Sequence, residues 1–409
     1  MKLLRYLVPL LLSSVQLLAV PAWSRQTGQS CNACHATPTM QLTSMGLDFL
    51  KNGHRLEATK VDPKDQKLDN MFSILFKGRV YANKTDDKSM GAVQKPATQL
   101  EQHSMSIYTG GALSSRFSYF AEIYLNENTG ATSGANVVQG DGARKKMAEA
   151  FIQYNHPLGT DSFLAIRGGE ILPGILHVFG VGARSAEQRA LVLDGANVGS
   201  NPYKPYNRQQ GMDATFVNKH FELAVGVLNG SAGTNQIDAD NHKDVFASAL
   251  WNFDGHESAL GLYQYNGQFT NYLTANDPST AITFDNKFSR TGILGRFIRD
   301  NWRVVGVYFT GKETFNLAGL EATNKGYYGL VDYNFNSSIG VFARADYFKP
   351  RDDQDSDTKQ YLVGLNGMLY QSDKAGARWN LEYLSQDKKP LVGANVKSSQ
   401  LRFQVTFGY

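Results

Sequence analysis

The chain has 409 residues, a net charge of +4, 19% charged and 11% aromatic residues, with 39 glycines, 20 tyrosines and 23 phenylalanines. So small a charge, with no basic run, leaves nucleic acid out as a partner. Few charges with many Gly, Tyr and Phe suit a sheet of many short strands better than a helical enzyme. Its only two cysteines, Cys31 and Cys34, exclude a disulfide framework spread through the chain.

Residues 1–24 read as a secretory signal. Lys2 and Arg5 precede a mostly apolar run, Leu7–Val20, interrupted by Pro9. Ala22 and Ser24 each offer an acceptable cleavage point, and the run is too short for a comfortable membrane span. No later stretch approaches the ~20 apolar residues of a spanning helix. An exported chain of this kind enters a membrane only as a barrel, so the expected location is the outer membrane, with its lipid as a partner.

Residues 25–67 carry the sharpest motif. In Cys31-Asn32-Ala33-Cys34-His35, two thiols three positions apart form thioethers with the vinyl groups of one haem, and the following histidine supplies an axial imidazole. A zinc site lacks a second ligand pair nearby, and a thioredoxin-like dithiol would need a βαβ setting absent here. One covalent haem c is therefore expected on Cys31, Cys34 and His35. Met40, Met45 and His54 follow within reach as the second axial ligand. Met45 is preferred because its offset from Met40 leaves more chain to cross the haem, and methionine opposite histidine raises the potential. His54, Met40 and an open position stay as alternatives. The spacing predicts a short helix over 41–52, closed by Gly53.

From about Leu68 to Tyr409 the period is two. Leu401, Phe403, Val405, Phe407 and Tyr409 share one face of the last segment, and Arg402, Gln404, Thr406 and Gly408 share the other. Similar segments recur near Phe72–Tyr81, Arg116–Leu125, Phe221–Val227, Ile339–Phe348 and Ala377–Tyr383. Apolar-out, polar-in alternation over about ten residues is what a lipid-facing barrel strand requires. Short turns, such as 218–220, 253–256, 299–301 and 334–338, alternate with long loops near 83–98, 127–144, 172–208, 229–243, 267–286, 311–324, 349–358 and 386–397. The fold expected is an all-β, antiparallel outer-membrane barrel of about sixteen strands, its short turns periplasmic and its long loops extracellular. An even count places both barrel ends on the periplasmic side, where the haem segment begins. The lumen face should carry Lys77, Arg79, Glu122, Glu149, Arg167, Arg296, Arg344, Asp346, Arg378 and Glu382. Loop 172–208 is the longest, and by analogy with general porins it is expected to fold inward and narrow the pore. A haem segment of about 40 residues is too small to hold a core alone, while a sixteen-strand lumen is wide enough to receive it; a plug inside the barrel follows.

The stretches Arg25-Gln26-Thr27-Gly28, Ser30–His35, Met45-Gly46-Leu47-Asp48-Phe49 and Lys51-Asn52-Gly53-His54 resemble those of the fused monohaem c-type cytochrome–porins of the outer membrane, iron-oxidising type. Met45 and His54 depart from that pattern. The resemblance implies electron transfer from an extracellular donor, ferrous iron in that family, to a periplasmic c-type cytochrome or other carrier. The enzymatic reading would be an oxidoreductase of the ferrous iron:cytochrome kind. Two other readings stand beside it: a general diffusion porin whose haem is structural or regulatory, and a haem enzyme acting on a small oxidant at an open coordination position. Asp238, Asp240, His242 and Asp244 in one loop, and Asp353, Asp355 and Asp357 in another, suit ferrous iron by ligand type, although acidic loop tips are commonly just solvated.

Overall fold

The computed structural model of the chain describes residues 21–56, 70–87, 92–93, 97–127, 147–181, 184–195, 198, 201–230, 242–253, 257–272, 283–315, 320–372 and 375–409. Sixteen long strands alternate in direction: β1 (Phe72–Asp87), β2 (Ala97–Ala112), β3 (Phe117–Glu127), β4 (Met147–Pro157), β5 (Ser162–Ile171), β6 (Gln209–Asn218), β7 (Phe221–Leu228), β8 (Asp244–Phe253), β9 (Ser258–Tyr272), β10 (Thr283–Arg299), β11 (Trp302–Phe315), β12 (Leu320–Asn334), β13 (Ile339–Lys349), β14 (Asp357–Gln371), β15 (Gly376–Lys389) and β16 (Val396–Gly408). Each pairs antiparallel with its neighbours, and β16 pairs with β1 in the register Phe407↔Phe76, Val405↔Gly78 and Phe403↔Val80, closing the barrel. Tyr409 completes the seam by exchanging backbone hydrogen bonds with Ile74 (2.7 and 2.9 Å). Closure leaves no strand edge unpaired, which the hydrocarbon interior of a membrane demands.

The period-two pattern becomes two faces. On β7, Phe221, Leu223, Val225 and Val227 point outward, 46–60% exposed, while Ala224 and Leu228 turn inward and are buried. Outward apolar residues on every strand form the belt of an outer-membrane barrel. The charges expected in the lumen are there: all ten face inward, nine of them buried and Lys77 half-buried. Short turns join the strands at the end that also holds Phe72 and Tyr409, the periplasmic end by the rule for such barrels; long connections lie at the other.

The strands run further toward the long-loop end than the alternation predicts. β1 continues through the polar stretch to Asp87, where Asp86 pairs with Val93. β9 and β10 pair out to Tyr272↔Thr283, and β11 and β12 to Phe315↔Leu320. Apolar alternation reports lipid contact and stops at the bilayer boundary, whereas backbone pairing continues above it.

Loop 172–208 does fold into the lumen. Short helical turns at Gly174–Leu176, His177–Val181 and Leu191–Gly195 bury Leu172, Leu176, Phe179 and Leu193 against inner-wall residues such as Phe246, Tyr263, Phe309 and Phe342. Its backbone is tied down by polar groups of the wall. Arg344 donates to the carbonyls of Gln188 (2.6 Å) and Arg189 (3.0 Å), and Glu382 accepts from the amides of Glu187 (3.0 Å) and Gln188 (3.4 Å). Asn201 donates to both oxygens of Glu313 (3.0 Å each).

Residues 21–56 lie inside the barrel at the short-turn end. They comprise helix α1 (Pro21–Thr27), a single turn α2 (Cys31–Cys34), a two-residue ladder pairing His35–Ala36 with Gln41–Leu42, and helix α3 (Ser44–Lys51). α3 starts later than the sequence predicts because Thr43 caps it, its hydroxyl accepting from Gly46 N (3.2 Å); Gly53, at φ +75°, ends it as expected. The signal run lies outside the described residues, and both expected cleavage points fall within α1.

Candidate functional site

The CxxCH segment is held by its own carbonyls. Thr43 Oγ1 donates to Ala33 O (2.5 Å) and Thr43 N to Cys34 O (3.0 Å), which folds α3 back over α2. Gly46 makes that contact feasible: a Cβ there would stand 2.1 Å from the Cys34 carbonyl oxygen. Cys31 is buried and Cys34 half-buried, and neither forms a disulfide. Burial, with Cys31 adding to it, pushes the Cys34 thiol up to about 11.

His35 Nδ1 lies 3.1 Å from the carbonyl oxygen of Met40. A carbonyl only accepts, so Nδ1 carries the proton and Nε2 is left with its lone pair. Desolvation pushes this imidazole down to about 4, which keeps it neutral at pH 7, as a metal ligand must be. A carbonyl orienting the ring from behind is the usual support of a ligating histidine.

Above this segment is a cavity of about 320 Å³, within the range of small-molecule sites. Cys31, Cys34, His35 and Met40 line one part of it; Trp23, Phe49, His54 and Phe120 line another; Lys77, Glu122, Glu149, His177, Arg184, Glu187, Arg189, Arg208 and Arg378 form its charged part. Five basic side chains against three acidic ones leave a surplus of positive charge. Most are paired: Lys77 with Glu187 (3.4 Å), Arg378 with Glu187, Arg208 with Glu149 (3.3 Å) and Arg189 with Asp194 (2.9 Å). Arg378 Nη1 is buried without a hydrogen-bond partner.

The donor set fits a c-type haem. Two thiols and a neutral imidazole face a largely apolar cleft, while cations, one with an unused donor, suit two propionates. Arg378 lines the cavity. Arg79 instead donates to Gln404 (2.8 and 3.1 Å), and Arg344 is engaged with Asp346 (2.9 Å) and the loop. Of the second-ligand candidates, Met40 and His54 line the cavity. Met45 does not: it is 37% exposed on the outer side of α3.

His177, from the inward loop, is a cavity residue that sequence reasoning missed; its Nε2 lies 3.4 Å from Glu149. Nothing local marks it, because only the folding of a distant loop into the lumen brings it there. Three successive β-bulges, beside Lys77/Gly78, Met105/Ser106 and Glu122/Ile123, re-aim the wall that faces this cavity, as bulges near sites do.

The acidic loops form no metal centre among the described residues. Asp353 is engaged by Arg351 (2.6 Å), Asp355 by Lys389 (2.5 Å), and Asp244 is buried, accepting from Tyr265 (2.5 Å) and the Gln268 amide (3.0 Å). Asp238 and Asp240 lie outside the described residues.

No family model matches the chain, and no curated protein matches its sequence. Solved structures do. The chain is similar to the outer-membrane channel DcaP of Acinetobacter baumannii (TM-score 0.55, 8% identity, 83% of this chain and 96% of that one). It is also similar to in-vitro-folded OmpT, an outer membrane protein of Vibrio cholerae (TM-score 0.52, 9% identity, 84% of this chain and 99% of that one). The fold is that of an outer-membrane barrel. With its closed ring of strands and apolar outer belt, the chain resides in the outer membrane.

Proposed function

We propose that the chain is a monohaem c-type cytochrome enclosed in a porin-type barrel. It would pass electrons between an extracellular donor, ferrous iron by the resemblance noted above, and a periplasmic c-type cytochrome or other carrier. The observation that carries this reading is the convergence of Cys31, Cys34 and His35 on one cavity inside the lumen. A haem bound there supplies a one-electron centre. The chain's residues do the rest. Cys31 and Cys34 would anchor it and His35 would ligate it through Nε2, with Met40 O fixing the tautomer of His35; Arg378 with its cationic neighbours would receive the propionates. The plug lies at the short-turn end, so the periplasmic partner approaches from the near side.

A diffusion porin with a structural or regulatory haem is the second reading, supported by the barrel's likeness to a channel. Against it stands the lumen itself, occupied from one end by the plug and from the middle by loop 172–208.

Two measurements test the proposal. Cys31→Ala/Cys34→Ala should abolish haem staining on denaturing gels while a heat-modifiable barrel still forms; full staining of the double variant would end the cytochrome reading. The wild-type protein, mixed anaerobically with ferrous iron, should show haem reduction, and large steady conductance in planar bilayers without that reduction would favour the porin.

A further inference from the structure

We propose that His54 is the second axial ligand, so that the centre is bis-histidine; this rests on the haem reading above.

The two histidines line one cavity, and the segments that carry them lean on different parts of the barrel wall. The turn after His35 leans on β11–β13: Arg303 Nη1 lies 3.4 Å from Thr39 Oγ1, and the Thr39 methyl lies 3.1 Å from where a Cβ on Gly340 would be. Met40 O takes the Nδ1 proton of His35, which leaves Nε2 with its lone pair on a ring that lines the cavity. His54 sits against β3 and β4, its ring stacked on Phe120 (4.3 Å between centroids, 12°) and 5.7 Å from Phe151. In a closed ring of sixteen, β4 and β12 stand across the lumen from each other.

The position of His54 is built. Gln153 Nε2 donates to Lys51 O (2.8 Å), Asn155 Nδ2 to Asn52 O (3.3 Å), and Lys51 Nζ reaches Glu222 (2.7 Å). Gly53 lets the backbone touch the wall, since a Cβ there would be 2.2 Å from Ser118 Oγ. His54 itself holds φ +64°, a region unfavourable for a residue with a side chain and one often held at functional sites. Trp23 at 4.8 Å and Phe49 at 5.9 Å complete an aromatic box. Within it His54 is 92% buried, and its Nδ1 has no hydrogen-bond partner. A buried imidazole with an unused nitrogen costs free energy unless something takes it up.

The rivals fail on placement. Met40 also lines the cavity, but it is only five residues from His35 and its carbonyl is already held at His35 Nδ1 (3.1 Å), so little chain would be left to carry its side chain across a haem. Met45 faces away from the cavity. His177 already directs Nε2 at Glu149.

The test uses the full-length protein purified in detergent and read by absorption, near-infrared and electron paramagnetic resonance spectra. The wild type should be low-spin and lack the methionine–iron charge-transfer band. His54→Ala should lose the low-spin signal and regain it with added imidazole, whereas His177→Ala and Met45→Ala should keep it. His54→Met should restore a low-spin state, show the methionine band and shift the midpoint potential upward. A methionine band in the wild type, a high-spin wild type, or an unchanged low-spin signal in His54→Ala would overturn the proposal. Haem label surviving in Cys31→Ala/Cys34→Ala would overturn the cytochrome reading instead, so the two failures are told apart.

Discussion

Gly46 shows how much of the site hangs on one missing methyl group. A Cβ at this position would lie 2.1 Å from Cys34 O and 3.0 Å from Cys34 C, and neither is the movable end of a side chain. Gly46→Ala must therefore lift α3 off α2, at a cost of about 1–3 kcal/mol. About a tenfold fall in covalent haem per barrel is expected on stained gels; full occupancy would show that α3 is free to shift. The CxxCH motif was legible from the sequence because it is encoded in five adjacent residues. Which of the residues after it lines the cavity was not. Met45 was the sequence expectation, yet helix α3 presents Gly46, Leu47 and Phe49 to the interior, which turns Met45 away. Which face a two-turn helix buries is decided by what it packs on, and here that is a wall some seventy to a hundred residues further along the chain.

At the scale of elements, the strands and their alternating turns were readable, because lipid on one side and polar lumen on the other impose period two directly. The bulges near Lys77, Met105 and Glu122 were not, since one extra residue leaves the composition of a strand unchanged. The inward loop was expected from its length and by analogy with general porins; its fastenings were not. Among these fastenings, Glu382 accepts two loop amides through Oε2 and faces Arg402 Nη1 (3.3 Å) through Oε1. Glu382→Ala leaves Arg402 buried without that charge partner, a loss of about 3–5 kcal/mol for a buried pair. The loop should loosen while the barrel persists. Single-channel recordings are expected to show a conductance step or increased current noise absent from the wild type; identical traces would mean that the loop is held by its apolar side alone.

At the scale of the molecule, plug and barrel share one interior. Residues 21–56 form a segment below the ~40 residues at which a chain holds a core unaided. Their apolar groups find partners on the wall: Trp23 and His54 against Phe120, and Leu47 and Phe49 in the buried interior. Their polar groups do likewise. The Ala22 amide donates to Ser73 Oγ (2.7 Å), Gln26 Nε2 to Asn70 O and Gly110 O (2.7 and 3.0 Å), Arg55 Nη1 to Ser114 O and Ser115 O (2.9 and 2.7 Å), and Gln41 Nε2 to Ser185 Oγ (3.2 Å). These contacts run from β1 round to the inward loop, so removing the barrel strips the segment on several sides at once. A separately expressed fragment ending at Lys67 is expected to be protease-sensitive and poorly ordered by circular dichroism even when haem is attached. In the intact protein the same residues should resist the same protease for as long as the barrel stays folded. A fragment that proved compact, protease-resistant and spectrally identical to the full-length protein would show that the segment owes nothing to the lumen, and would replace the plug with an independent periplasmic domain.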